Sequence, residues 1–309
     1  MSDFTLAGFT IYEIVWYFMI YSFLGWVLEV IYHAVSLGVV VNRGFLNGPV
    51  CPIYGFGMIA ILALLNTIFP EGISNVHGLI LFAVGILLAT AIELFGGWIL
   101  DKIFHARWWD YSDEPFNLNG YICPKFSLYW GLGTVIAVRM LHPFVASHTV
   151  EIWPEKIGWP AAILLAITYM ADTVVTVMIV NGLNKELTRL DDIRASMRIV
   201  SDGLSDRLGT GSLKTAQRME EGRVKAELAK DALQEHLENQ AGEMRERIEV
   251  KKAEIEARKE EFREKEQAVF DRLLKSRVFG VRRLLDAFPD MKMPAHEELL
   301  NDLRRRMNI

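Results

Sequence analysis

Residues 78–100 read GLILFAVGILLATAIELFGGWIL, an unbroken apolar run whose one ionisable side chain is Glu93. About 20 apolar residues in a helix cross roughly 30 Å of hydrocarbon, and a run of this length is read as a membrane span. Working outward, comparable runs occupy 12–35, 53–69, 126–147 and 160–180. The second is the shortest, and its start at Pro52 suits the first turn of a helix. The expected fold is therefore all-α: a polytopic membrane helical bundle of about five spans in residues 1–182, followed by a helical tail in 183–309.

Charge separates the same two regions. Residues 1–182 hold 6 Lys/Arg and 12 Asp/Glu, which leaves 27 and 26 for residues 183–309. Basic residues in short connections are retained in the cytosol, whereas acidic ones matter little. Arg43 lies in the first connection, Lys102, Arg107 and Lys125 at the third, and Lys185, Arg189 and Arg194 beyond the last span. The N-terminus and the second connection carry no Lys or Arg, and the fourth carries only Lys156. The expected topology is multi-pass, N-terminus out and C-terminal tail cytoplasmic. The first run has no basic segment before it and no small-residue cleavage site, so it reads as a retained span. Two cysteines, Cys51 and Cys123, are too few for a disulfide framework and read as free thiols.

The connections contain a repeat. Leu46-Asn47-Gly48-Pro49-Val50-Cys51-Pro52 is answered by Leu118-Asn119-Gly120-Tyr121-Ile122-Cys123-Pro124, each leading directly into a span. Each follows a span with a single acidic residue near its cytosolic end, Glu29 or Glu93. Both hairpins run in the same direction, so the expected repeat is parallel, about an axis along the membrane normal.

Ionisable residues inside spans are costly and mark pathways or pairs. Glu29 and Glu93, with Arg43, Asn47, Asn119 and Asp110 in the neighbouring connections, are the candidate substrate or ion pathway. A carboxylate there binds a cation, relays a proton, or only anchors Arg43. Arg139 and Asp172 lie at comparable depths in antiparallel spans, so an intramembrane ion pair is expected between them. Trp108, Trp109 and Tyr111 read as an interfacial aromatic belt. No His accompanies the cysteines at ligand spacing, and no metal or other cofactor is expected.

In the tail, Leu187, Leu190, Met197, Leu204 and Leu208 continue the last span as an amphipathic helix. Gly209-Thr-Gly-Ser212 reads as a turn, because its likeness to a phosphate loop lacks the spacing and the preceding strand. Ile248, Ile255, Phe262 and Val269 then form a seven-residue stripe with a poor companion stripe. Either a coiled-coil self-association or a helical hairpin against residues 184–208 fits. The near-zero net charge of the tail gives no basis for binding nucleic acid.

The segments at residues 21–29, 42–57 and 108–120 resemble the CmpB-like family of bacterial membrane proteins labelled as ABC-transporter permeases. The resemblance covers about residues 12–180 and implies a bacterial cytoplasmic-membrane protein, in contact with lipid, acting in transport. No Walker motif occurs, so such a permease would draw on a separate ATPase subunit. The alternative is a non-transporting scaffold or sensor that recruits cytosolic partners through its tail. An intramembrane enzyme comes third, because no nucleophile, base and orienter set is visible.

Overall fold

The computed structural model describes residues 5–38, 40–150, 154–226, 232–275 and 280–309. It divides into two compact units: Met1–Asn184 together with Ser276–Ile309, and Lys185–Lys275.

The first unit opens with a two-stranded hairpin, β1 (Thr5–Leu6) and β2 (Phe9–Thr10). Helix α1 (Ile11–Leu37) follows at once, and its start is a reciprocal cap. The Glu13 amide donates to Thr10 Oγ1 at 3.2 Å while the Thr10 amide donates to Glu13 Oε2 at 2.7 Å. This cap accounts for Glu13. At the other end Gly38 takes the left-handed conformation, and its amide closes on Ala34 O.

Helices α2 (Pro52–Ile68) and α3 (Gly78–Phe104) come next, then α4 (Pro124–Ile136). Both α2 and α4 begin on a proline behind a buried cysteine. The fourth apolar helix continues past α4 through π-helical turns at Ala137–Leu141 and Ala146–Val150, which flank α5 (His142–Val145). Pro143 has no N–H for the carbonyl of Arg139, and the His142 amide reaches five residues back to Ala137 O. The wide turn is where the helix accommodates the proline. Helix α6 (Glu155–Ala226) closes the bundle.

Among the described residues, four helices are long and apolar enough to cross a membrane: Ile11–Ser36, Gly78–Phe104, Pro124–His148 and Glu155–Ile199. The fifth expected span is the apolar but shorter Pro52–Ile68. Only 11% to 22% of each long span's apolar window is buried inside the protein. The outward faces, with Leu87, Met140 and Leu164 exposed, need hydrocarbon around them. The chain is a multi-span membrane protein.

The helices of each hairpin, α1 with α2 and α3 with α4, pack at short range. A β-carbon on Gly85 of α3 would lie 2.5 Å from Thr134 Cβ of α4, so only glycine permits this approach. Beside it, Thr90 Oγ1 donates to Ser127 Oγ at 2.8 Å. At the strand end, Asn66 Nδ2 donates to Ala7 O at 2.7 Å and fastens the hairpin to α2.

The C-terminal part of the first unit holds α8 (Val281–Ala287) and α9 (Glu297–Met307), whose Leu284, Leu285, Leu299, Leu300 and Leu303 are buried.

In the second unit α6 runs beside α7 (Ala232–Lys275). Arg194 Nη2 meets Glu266 Oε1 at 2.9 Å and Arg272 Nη2 meets Glu186 Oε2 at 3.2 Å, which makes the two helices antiparallel. The expected turn at residues 209–212 is absent, because α6 continues through it. A glycine costs a helix only about 1 kcal/mol relative to alanine, too little to stop a helix this long.

Leucine at Gly85 is expected to destabilise the bundle by about 1–3 kcal/mol, the usual effect of overpacking. Leucine at Gly133, whose β-carbon would meet nothing within 4 Å, serves as the control. Thermal unfolding of the two purified variants measures the difference, and equal midpoints would contradict this packing.

Candidate functional site

Glu29 and Glu93 each sit in a hydrogen-bonded cluster, and an aromatic contact joins the two into one chain. Arg43 Nε donates to Glu29 Oε2 at 2.9 Å, and Tyr54 of α2 donates its hydroxyl to Glu29 Oε1 at 2.6 Å. Glu93, 6% exposed, accepts from Tyr111 OH at Oε1 and from Trp130 Nε1 of α4 at Oε2, both at 3.0 Å. The rings of Tyr54 and Trp130 meet edge to face with centroids 5.6 Å apart. The order is therefore Arg43, Glu29, Tyr54, Trp130, Glu93, Tyr111, and it passes from the first hairpin into the second. A β-carbon on Gly25 of α1 would lie 2.2 Å from Tyr54 Cγ, so glycine there leaves room for the ring.

Every carboxylate oxygen in this chain has a donor. Two helices supply Tyr54 and Trp130, and two connections supply Arg43 and Tyr111. Burial, and then the carboxylate of Glu93, push the Tyr111 phenol far above its ordinary value, which keeps it a donor. Burial pushes the Cys51 thiol up to about 12, so it is a poor nucleophile at neutral pH.

The other candidates are placed elsewhere. Asn47 reaches α6: its amide and Nδ2 donate to Asp172 Oδ1 at 3.1 and 2.9 Å, and Nδ2 also reaches Thr176 Oγ1 at 2.9 Å. Gly48 N donates to Asp172 Oδ2 at 2.7 Å. Asp172 is thus the anchor of the first Asn-Gly turn, and the expected Arg139–Asp172 pair is not formed. Arg139 donates instead to the carbonyls of Ser74 and Val76. A depth estimate fixes height along a helix but not the direction in which the side chain leaves it. Asp110 accepts from Lys292 Nζ at 2.6 Å. Asn119 is exposed, and its carbonyl accepts from Arg107 Nη1 at 3.1 Å.

Tyr54 and Trp130 lay outside the sequence reading, because nothing in a lone aromatic residue near a Cys-Pro entry marks it as a donor. The aromatic-belt expectation is also corrected. Trp108 is 3% exposed, with its ring 5.0 Å from those of Phe45 and Phe288, while Tyr111 serves Glu93.

The C-terminal segment holds both connections. Arg283 donates to Gly44 O and Leu46 O at 2.8 Å through Nη1 and to Phe45 O at 3.0 Å through Nη2. Lys292 pairs with Arg107 in an antiparallel bridge, each amide donating to the other's carbonyl. The guanidinium of Arg43 lies 5.8 Å from the ring centre of Phe288. The two connections that supply donors to the carboxylates are thus tied to one piece of chain.

The Asp110–Lys292 contact carries a pH signature. Burial alone would raise the Asp110 carboxyl, but hydrogen bonds from Lys292 and Ser112 hold it below its ordinary value. The hydrogen bond to Asp110 raises Lys292 above the usual lysine value. The Asp110 contribution is present above the ordinary carboxylate pKa and lost as pH falls through the depressed one. The Lys292 contribution is present below the ordinary lysine pKa and lost as pH rises through the raised one. Hydrogen exchange at the Arg107 and Lys292 amides, corrected for intrinsic rates, is expected to speed up on both sides of a neutral plateau. A flat profile would show that the ion pair does not hold the bridge.

No curated protein and no solved structure matches this chain. One family model does, over residues 16–177, and these residues include α2, α3, α4, both Asn-Gly turns and every member of the carboxylate chain. With more than half of its length matched, the chain belongs to the family described as "Putative ABC-transporter type IV".

Proposed function

We propose that the chain is a membrane transport component of the ABC type, with a polar site between the two hairpins centred on Glu29 and Glu93. The observation that carries this reading is the chain of donors joining both carboxylates across the hairpin boundary. A carboxylate inside a span is costly and is kept for a pathway or a partner, and here one aromatic donor of each carboxylate, Tyr54 and Trp130, meets the other edge to face. With every oxygen satisfied, the site is closed in this arrangement. A cation or polar solute enters by displacing Arg43 or Tyr111, the two donors that come from connections rather than helices.

In this reading the basic connections face the cytosol of a bacterium, the N-terminus lies outside and the tail from residue 183 onward is cytoplasmic. The repeated Leu-Asn-Gly-x-x-Cys-Pro segments are parallel equivalents, and a separate ATPase subunit supplies hydrolysis. A second reading, a scaffold or sensor that recruits a partner helix or self-associates through the tail, is favoured by the three carbonyls that Arg283 engages. Contact between the C-terminal segment and the carboxylate donors gives a route from tail to bundle.

Solute uptake is compared in a deletion strain carrying the wild-type chain, Glu29→Gln, Glu93→Gln or both. The transport reading expects the wild type to restore uptake of at least one solute, and the variants to lower it about tenfold or more at unchanged folded amount, the effect of removing one charge-assisted partner. Full restoration by the double variant would remove the carboxylates from the mechanism. Restoration that is instead lost when residues 210–275 are removed, with 280–309 kept, would favour the scaffold.

A further inference from the structure

At the end of α3 opposite His77, a polar groove of about 480 Å³ is lined by Trp98, Lys102, Arg107, Ser112, Asn117, Asn119 and Tyr121. Its volume lies in the range of small-ligand sites. The charges around it can be counted. Arg107 Nε lies 3.7 Å from Asp101 Oδ2, and the guanidinium sits 5.0 Å from the ring centre of Tyr121. Tyr121 spends its own hydroxyl on Asp101 at 2.5 Å. Asp110, which accepts from Ser112, is matched by Lys292. Arg107 is thus offset by Asp101, and Lys102 is the lining cation without an ion pair among the described residues, with Asp113 the remaining carboxylate of the same loop.

Donors remain to be used. Among the described residues the Lys102 ammonium and the Asn119 side-chain amide make no hydrogen bond or ion pair, whereas Arg107 Nε is buried and faces Asp101 at 3.7 Å. Asn117 is committed to the loop: its Nδ2 serves the Ser112 and Glu114 carbonyls, and its Oδ1 accepts from Gly120 N. Trp98, 48% exposed, forms the wall on the membrane-spanning helix. Tryptophan beside Lys and Arg at the end of a span is the chemistry of the headgroup layer.

We propose that this groove binds a phosphate-bearing anion, with Lys102 supplying the charge and Arg107 and Asn119 the hydrogen bonds. A guanidinium fixed over an aromatic ring and an ammonium with no partner suit phosphate oxygens. A phospholipid headgroup and free phosphate present the same group, and the two differ in whether acyl chains lie along Trp98.

Purified full-length chain in detergent is tested in two arms. In the first, native mass spectrometry measures retention of phosphatidylglycerol against phosphatidylcholine. In the second, thermal unfolding without lipid measures the shift given by inorganic phosphate. Lys102→Gln is expected to weaken retention or the phosphate shift about tenfold, and Lys102→Glu further, the loss of one charge-assisted contact. Dependence on Lys102 in the lipid arm alone assigns a headgroup, and in the phosphate arm alone a soluble ligand. Lys102→Gln with wild-type behaviour in both arms overturns the proposal, whatever Lys102→Glu does. Should the Lys102 variants fail to fold, Asn119→Gly, which keeps the left-handed backbone of the exposed turn, takes their place, with a smaller loss in the same arm expected and no loss in either overturning the site.

Discussion

A carboxylate surrounded by hydrocarbon must have its oxygens satisfied from within the protein, because no water is there to do it. This constraint organises the first unit. Glu29 and Glu93 take four donors: two aromatic side chains from α2 and α4, an arginine from one connection and a tyrosine from another. The helix-borne donors are fixed by packing, as the fit of Gly25 against Tyr54 requires. The connection-borne donors are fixed only if the connections are. That is the service of Asp172, which holds Asn47 and Gly48, and of Arg283, which holds the three carbonyls between residues 44 and 46.

The two halves of the bundle meet the same demand with different chemistry. In the first hairpin a cationic donor and a phenol share Glu29, so the pair is formally neutral before any proton moves. In the second, both donors to Glu93 are neutral, an indole and a phenol, and the carboxylate carries no formal counter-charge among its hydrogen-bond partners. An added positive charge therefore gains more at Glu93 than at Glu29, where it has to compete with Arg43. This asymmetry is invisible in the shared Leu-Asn-Gly and Cys-Pro positions, which build the helix entries and leave the carboxylate partners to residues outside the motif.

How much of this was legible follows from what each signal measures. Apolar run length reads the solvent around a helix, and it placed the four helices that are long and apolar enough to cross a membrane among the described residues, while the remaining run is a shorter apolar helix. A lone acidic residue in an apolar run is conspicuous, so Glu29 and Glu93 stood out, and Arg43 was near enough in sequence to be named as a partner. Long-range partners were not legible. Asp172 and Asn47 are separated by 125 positions, and the height of Asp172 in its span suited Arg139 equally well. The azimuth that decided between them comes from how α6 packs, which no local pattern carries. The turn expected at residues 209–212 failed for the opposite reason: a local signal was present, and helix continuity outweighed it.

The C-terminal segment shows the same limit at the level of the domain. Residues 280–309 are charged, contain two prolines and carry no apolar run, so they read as the end of a solvated tail. In the structure they belong to the compact unit that contains the spans. The reason lies in which groups the connections leave open. A chain entering a span through Gly-Phe-Leu-Asn-Gly-Pro has carbonyls with no helix or sheet to receive them, and three consecutive ones converge on a single planar guanidinium. Lysine offers three rotating donors on one point charge and has no such fork, so Arg283 cannot be exchanged for it without loosening residues 44–46. Because Arg43 precedes those residues directly, the order of a backbone loop at the end of the bundle and the neutralisation of a carboxylate inside it are one structural problem, solved by a residue 240 positions away from Arg43 in the sequence.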